Sequence, residues 1–191
     1  SFLPSLKKYS RLRNSNYWFG GEEVFDVDRF TGYVMVCNST GNQTINIIPA
    51  VQFKIDSVII ISTEQTEQNG KTQRLMEVLE KYNVGAISVK VDHIEEKSQL
   101  MLTSHLLTIV KNYSKVIWNI SGGQKIPTIA LHKAFEKRIE NAYDDLILYV
   151  EGTPPEIWFY GKDYKTKNVR SCANFSSTDI LHVYDSEALE D

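Results

Sequence analysis

The feature that most constrains the fold is a series of short, mostly apolar runs separated by segments of helical periodicity. The runs are Tyr33-Val34-Met35-Val36-Cys37, Val58-Ile59-Ile60-Ile61, Ala86-Ile87-Ser88-Val89, residues 115–120, and Leu146-Ile147-Leu148-Tyr149-Val150. A strand with one face in water alternates apolar and polar residues, whereas a continuous run marks a strand covered on both faces. The covering elements lie between the runs. Residues 45–53 read as a short helix. Residues 71–82 read as an amphipathic one, with Leu75, Leu79 and Tyr82 on one stripe and Arg74, Glu77 and Lys81 away from it. A longer helix is expected over 95–112, where Leu102, Leu106, Ile109 and Val110 recur at helical spacing, and another over 126–141 with Pro127 in its first turn.

Strands alternating with helices in this way build right-handed βαβ units. The expected fold class is therefore α/β, a Rossmann-like three-layer sandwich around a mostly parallel sheet. Thr153-Pro154-Pro155 followed by Glu156-Ile157-Trp158-Phe159-Tyr160 adds an antiparallel edge hairpin. The chain divides into an arm (1–31), the α/β domain (32–160) and a C-terminal extension or connector (161–191). The arm carries Lys7, Lys8, Arg11 and Arg13 with no acid among its first 13 residues, then Tyr17-Trp18-Phe19. It reads as a solvated segment whose aromatics dock on the core, in preference to a nucleic-acid contact. In the extension, Ser176-Ser177-Thr178-Asp179 is suited to cap a final helix before an acidic tail.

Bulk properties exclude several function classes. A formal net charge of −3 over 191 residues argues against electrostatic binding of long nucleic acid but allows a local site for a small anion. Cys37 and Cys172 make neither a disulfide framework nor a metal cluster, and a reducing, cytoplasmic setting is expected. There is no 18-residue apolar run, so this segment has no span of its own. His93, His105, His132 and His182 are scattered without metal-ligand spacing, and no cofactor is expected.

In a doubly wound sheet, ligands bind beyond the carboxyl ends of the strands. Three polar loops follow strands there. Ser121-Gly122-Gly123-Gln124-Lys125 sits between a strand and a helix. Its glycines let backbone N–H groups face a ligand, and the helix N-terminus favours an anion. By itself the segment is equally a Gly-rich turn with an exposed lysine. Its spacing is not that of a P-loop, and no G-x-G-x-x-G is present, so ATPase and dehydrogenase readings lose their support. The other two loops, residues 38–44 and 62–68, are dense in hydroxyls and amides. Together the three favour a nucleotide-like ligand.

These segments resemble the CRISPR-associated Rossmann fold (CARF) domain, in particular the branch found in ancillary nucleases of type III systems. The resemblance rests on Val34-Met35-Val36 with Gln43-Thr44-Ile45, on Ile59-Ile60-Ile61-Ser62-Thr63 with Glu67-Gln68, and on Asn119-Ile120-Ser121-Gly122-Gly123-Gln124-Lys125. Where the branch carries Asn-Ile-Thr-Gly-Gly-Thr-Lys, this chain has Ser121 and Gln124. Ser121 keeps the hydroxyl, and Gln124 replaces one with a longer amide.

The resemblance implies a homodimeric sensor of a cyclic oligoadenylate, cyclic tetra-adenylate by preference, that activates a fused effector in antiviral defence. It places Gly122, Gly123, Gln124 and Lys125, in one motif with Asn119 and Ser121, on phosphate and ribose. It places Ser39, Gln43 and Thr44, with Thr63, Glu64 and Gln68, around the adenosine. The effector is expected outside this segment, and a transmembrane effector would tether the protein to a membrane. Two alternatives stay open: a ring nuclease that cleaves the messenger, for which no general base is evident, and an unrelated Rossmann-like mononucleotide-binding domain.

Overall fold

The computed structural model describes residues 32–152 and 155–162, together with Phe30, Asp179 and the backbone of three short strands, Asn16–Tyr17, Val24–Phe25 and Lys167–Arg170. The basic part of the arm, the proline turn at 153–154 and most of the extension, including the expected final helix, lie outside the described residues.

The elements in chain order are β1 (Val34–Asn38), α1 (Thr44–Gln52), β2 (Ser57–Ser62), α2 (Glu64–Gln68), α3 (Lys71–Lys81) and β3 (Gly85–Lys90). They continue with α4 (His93–Lys97), α5 (Gln99–Ile109), β4 (Val116–Asn119), α6 (Lys125–Glu140), β5 (Leu146–Glu151), β6 (Glu156–Tyr160) and β7 (Lys167–Arg170). One seven-stranded sheet runs β3-β2-β1-β4-β5-β6-β7. The pairings from β3 through to β5 are parallel, and β6 and β7 are antiparallel additions at the edge. β7 carries the sheet past residue 160.

The runs of β1 and β2 are covered on both faces as expected, whereas β3, at the edge of the sheet, is largely exposed, with Ile87 at 53%. Within β1 and β2, Met35, Cys37, Val58 and Ile60 point to one face, where they pack with Ile47 and Ala50 of α1 and Leu75 and Leu79 of α3. Val34, Val36, Ile59 and Ile61 point to the other, against Leu102 and Leu106 of α5 and Ala130, Leu131 and Ala134 of α6. A side chain in such a layer contributes about 1.5–3 kcal/mol on burial, so neither face can be left to water. Phe30, at the end of the arm, is buried against Phe53 and Phe159 with ring centroids 4.9 and 5.1 Å away.

Two elements differ from the sequence-based expectation. The single helix expected over 95–112 is two. Ser98 adopts an extended backbone (φ −116°, ψ 100°), ends α4, and accepts from Met101 N with its hydroxyl to start α5. A serine hydroxyl that bonds nearby backbone N–H groups competes with helix continuation. Residues 64–68, read as loop, form α2, capped by Thr63 through reciprocal bonds with Thr66.

At the end of β4 and β5 away from the loops, Asp145 is wholly buried and accepts from Arg138 Nε (2.6 Å), Arg138 Nη2 (3.0 Å), Trp118 Nε1 (2.8 Å) and Val116 N (3.1 Å). Arg138 also donates to Tyr113 O and lies over the Tyr143 ring. In the extension, Asp179 accepts from Lys81 Nζ and from Tyr82 Oη, at 2.6 Å for the latter, tying that point of the chain to the end of α3.

Candidate functional site

In the strand order β3-β2-β1-β4-β5, connections leave β1 toward one side of the sheet and β4 toward the other. This reversal opens a crevice between the two strand ends, the place where doubly wound sheets take ligands. A cavity of about 280 Å³ lies there. The β1–α1 loop supplies Asn38, Ser39, Thr40 and Gly41, and the second wall is Thr63, Gln65, Thr66 and Asn69, with Lys71 at the start of α3. Gly123, Gln124 and Pro127 close it from the β4–α6 loop, with Ile61 and Val91 as its apolar part.

The third loop needs both of its glycines. Gly123 has φ +111°, a left-handed conformation that side chains disfavour, and a Cβ there would come within 2.8 Å of Asn38 Cβ and Nδ2. At Gly122 a Cβ would meet Ile45 Cδ1 at 2.3 Å and Thr40 Cγ2 at 3.1 Å. Asn38 Nδ2 donates to Gly122 O at 3.2 Å, so the first loop holds the third directly. Gln124 is the N-cap of α6 but places no side chain on the helix end, and the first turn holds no acidic residue. The first-turn N–H groups of a 16-residue helix are thus left without a side-chain cap, a setting that favours an anion.

Of the residues singled out in the sequence, Ser39, Thr63, Gly123 and Gln124 line the cavity. Gln43, Asn119 and Ser121 lie beneath it. Gln43 is fully enclosed, donates through Nε2 to Ser39 Oγ (2.9 Å) and Lys71 O (3.3 Å), and accepts from Asn46 and Thr40 N. Asn119, 1% exposed, donates to Ile45 O and accepts from Ser121. Ser121 Oγ accepts from Val150 N at 2.8 Å. Thr44 opens α1 and is half-buried; Gly122 stands behind Gly123. Glu64 and Gln68 bond each other on the exposed face of α2 (3.3 Å), and Lys125 is exposed at the first position of α6, outside the cavity wall.

Lys71 is the residue that sequence reasoning missed. It reads as a solvated charge at a helix start, yet its ammonium sits 3.4 Å from where a Cβ on Gly41 would be, in the cavity wall. Gln43 Nε2 bonds its carbonyl and Asn69 Oδ1 accepts from its N–H, which fixes its backbone. The one legible signal was Asn69-Gly70 before the helix: Gly70 has φ +70° and turns the chain back toward the loops. Asn38, read in the sequence as part of the first polar loop but not singled out within it, is the last residue of β1 and lines the cavity.

The described residues contain no cluster of His, Cys, Asp and Glu suited to a metal. Cys37 is wholly buried and desolvation pushes its thiol well up, so it is a packing residue without nucleophilic character. No helix among the described residues is long and apolar enough to cross a membrane, so they offer no support for a membrane tether.

Comparison with known proteins places this geometry. No curated protein sequence matches the chain. Among solved structures, Can2 from Sulfobacillus thermosulfidooxidans in complex with cyclic tetra-adenylate superimposes with a TM-score of 0.67 at 20% identity, over 80% of this chain and 41% of that one. Protein VC1899 from Vibrio cholerae gives 0.66 at 15% identity, over 79% and 39%. A type III CRISPR defence DNA nuclease activated by cyclic oligoadenylate gives 0.55 at 10%, over 92% and 26%. The chain thus spans well under half the length of these proteins, and at such identities the likeness is one of fold. The model of the Card1 CARF domain matches residues 36–156. That match runs from within β1 to the first residue of β6 and takes in all three loops of the cavity, so the chain belongs to the Card1 CARF domain family.

Proposed function

We propose that this domain is a sensor that binds a cyclic oligoadenylate, cyclic tetra-adenylate by preference, in the cavity at the ends of β1, β2 and β4. The observation that carries the reading is a polar cavity in a CARF-family chain that combines an uncapped α6 N-terminus with the Lys71 ammonium. Phosphate sits over Gly123 and the first turn of α6, where oriented N–H groups and Lys125 favour negative charge. Ser39, Thr63, Thr66, Asn69 and Gln124 offer the hydroxyls and amides that read an adenosine. The cyclic tetra-adenylate held by Can2 supports the ring size.

A ring of four adenosines exceeds a cavity of about 280 Å³, which supports a homodimer in which each copy presents the same loops to half of a two-fold ring. Ile94, Leu100, Met101 and Ile129, 48–68% exposed on α4, α5 and α6, offer such a dimer apolar surface. Leu100→Lys should leave the fold intact, shift the protein to a monomer in sedimentation velocity, and weaken messenger binding. In the full-length protein, occupancy is relayed to an effector elsewhere in the chain.

The test is calorimetry with cyclic tetra- and hexa-adenylate, followed by chromatography of the nucleotide. Binding with the ring recovered intact fits the sensor, linear products identify a ring nuclease, and no binding to either ring removes both. Lys71→Ala and Lys125→Ala should each weaken binding by about 10- to 100-fold, the loss expected of a charge-assisted hydrogen bond of about 1.5–3 kcal/mol. Unchanged affinity in both variants would place the anion elsewhere.

A further inference from the structure

Beneath the cavity, three buried side-chain amides form a head-to-tail chain. Asn119 Nδ2 donates to Asn46 Oδ1 at 3.0 Å, Asn46 Nδ2 donates to Gln43 Oε1 at 2.9 Å, and Gln43 Nε2 donates to Ser39 Oγ and Lys71 O. One end continues into the third loop, where Ser121 N donates to Asn119 Oδ1 at 3.0 Å. The other reaches α3, where Thr72 Oγ1 donates to Ser39 Oγ at 2.9 Å. From Ser121 N to Ser39 Oγ every link runs in the same direction, so each bond polarises the next, while Thr72 donates into Ser39 Oγ from the other side.

Asn46 is its centre. It is 2% exposed, lies outside the cavity wall, and spends its second amide hydrogen on Asn38 O at 2.9 Å. That carbonyl belongs to the residue whose side chain holds Gly122 O. Asn46 is thus bonded at once to the end of β1, to the first loop and to the strand that launches the third. A buried side-chain amide in the first turn of α1 is costly unless its groups are all satisfied. Here they are, and an apolar residue of similar size would fill the same space.

We infer that Asn46 is a positioning residue for the ligand site: it fixes the separation between the Gly123–Lys125 cradle and the wall made by Lys71 and Ser39, without touching the ligand. This rests on the binding reading above. Its consequence is that loss of Asn46 lowers affinity in a protein that remains folded, and that the loss is coupled to groups on both sides of the cavity.

The experiment is a double-mutant cycle of Asn46→Ala with Lys125→Ala, read by calorimetry with cyclic tetra-adenylate, alongside hydrogen exchange at Ser121 N–H and Val150 N–H. Asn46→Ser, too short to reach Asn119, serves as second variant if the alanine form does not fold. The expected result is an affinity about tenfold lower or more, faster exchange at both amides with the central strands still protected, and a smaller effect of Lys125→Ala in the Asn46 variant than in the wild type. A variant that melts earlier yet binds with wild-type affinity when folded would make Asn46 a packing residue and overturn the inference. So would strict additivity with Lys125→Ala. Failure of the wild-type protein to bind any cyclic adenylate would instead overturn the binding reading, and the inference with it.

Discussion

Asp145→Ala should destabilise the domain by about 3–5 kcal/mol, the largest single-residue effect expected in this fold. The carboxylate is wholly buried and accepts four hydrogen bonds, two of them from Arg138, whose side chain is 5% exposed. Its removal leaves a guanidinium in the interior with no counter-charge, and strips Trp118 Nε1 and Val116 N of their acceptor as well. The loss comes mainly from uncompensated polarity, so replacing both partners by apolar residues of similar volume (Arg138→Met with Asp145→Leu) should cost less than Asp145→Ala alone. Urea denaturation monitored by tryptophan fluorescence measures both. A midpoint for Asp145→Ala within error of the wild type would show that the pair does not hold α6, β4 and β5 together. The cluster lies at the far end of β4 and β5 from the cavity, so whatever fraction of the variant folds should still bind ligand.

The second large effect should fall on binding and spare the fold. Gly123→Ala asks an alanine to adopt φ +111° with its Cβ 2.8 Å from Asn38. Strain of this kind costs about 1–3 kcal/mol, and the loop can escape it by leaving the bound geometry. The cost should therefore appear as about a 10- to 100-fold loss of affinity for cyclic tetra-adenylate, with little change in melting temperature, because β4 and α6 on either side are held by Ala130, Leu131 and Trp118 in the core. Gly122→Ala provides the contrast. It meets Ile45 Cδ1 at 2.3 Å on the core side, so it should lower stability as well as affinity. Equal affinity for the Gly123 variant and wild type would mean that the third loop is not the cradle.

Several parts of this protein were legible residue by residue. The continuous runs of β1, β2, β4 and β5 announced strands covered on both faces, and Leu75, Leu79, Leu102 and Leu106 announced the helices that cover them. Ser121-Gly122-Gly123-Gln124-Lys125 could be read as an anion-binding turn because its chemistry is local: two glycines, a helix start and a lysine within five residues. The break at Ser98 was harder to see, since one serine hydroxyl overrides a periodic pattern that runs straight through it. Lys71 escaped for a different reason. Its place in the cavity wall depends on a left-handed Gly70 and on where α3 packs against the sheet, and no pattern in residues 71–81 encodes either.

The sequence by itself determined the α/β sandwich, the strand ends that carry polar loops and the glycines of the third loop, because burial periodicity and backbone conformation are properties of a few consecutive residues. Only the tertiary structure decided the roles within those loops. Gln43 and Asn119 look in sequence like ligand-facing amides, as Gln124 does, yet they lie under the cavity in a chain through Asn46, while Gln124 stands in its wall. An amide has the same chemistry in both places. What separates them is whether its donors and acceptor find partners far away in the chain, as Asn119 finds Ile45 across 74 positions and Asn46 across 73, and that is settled only when the strands are set side by side.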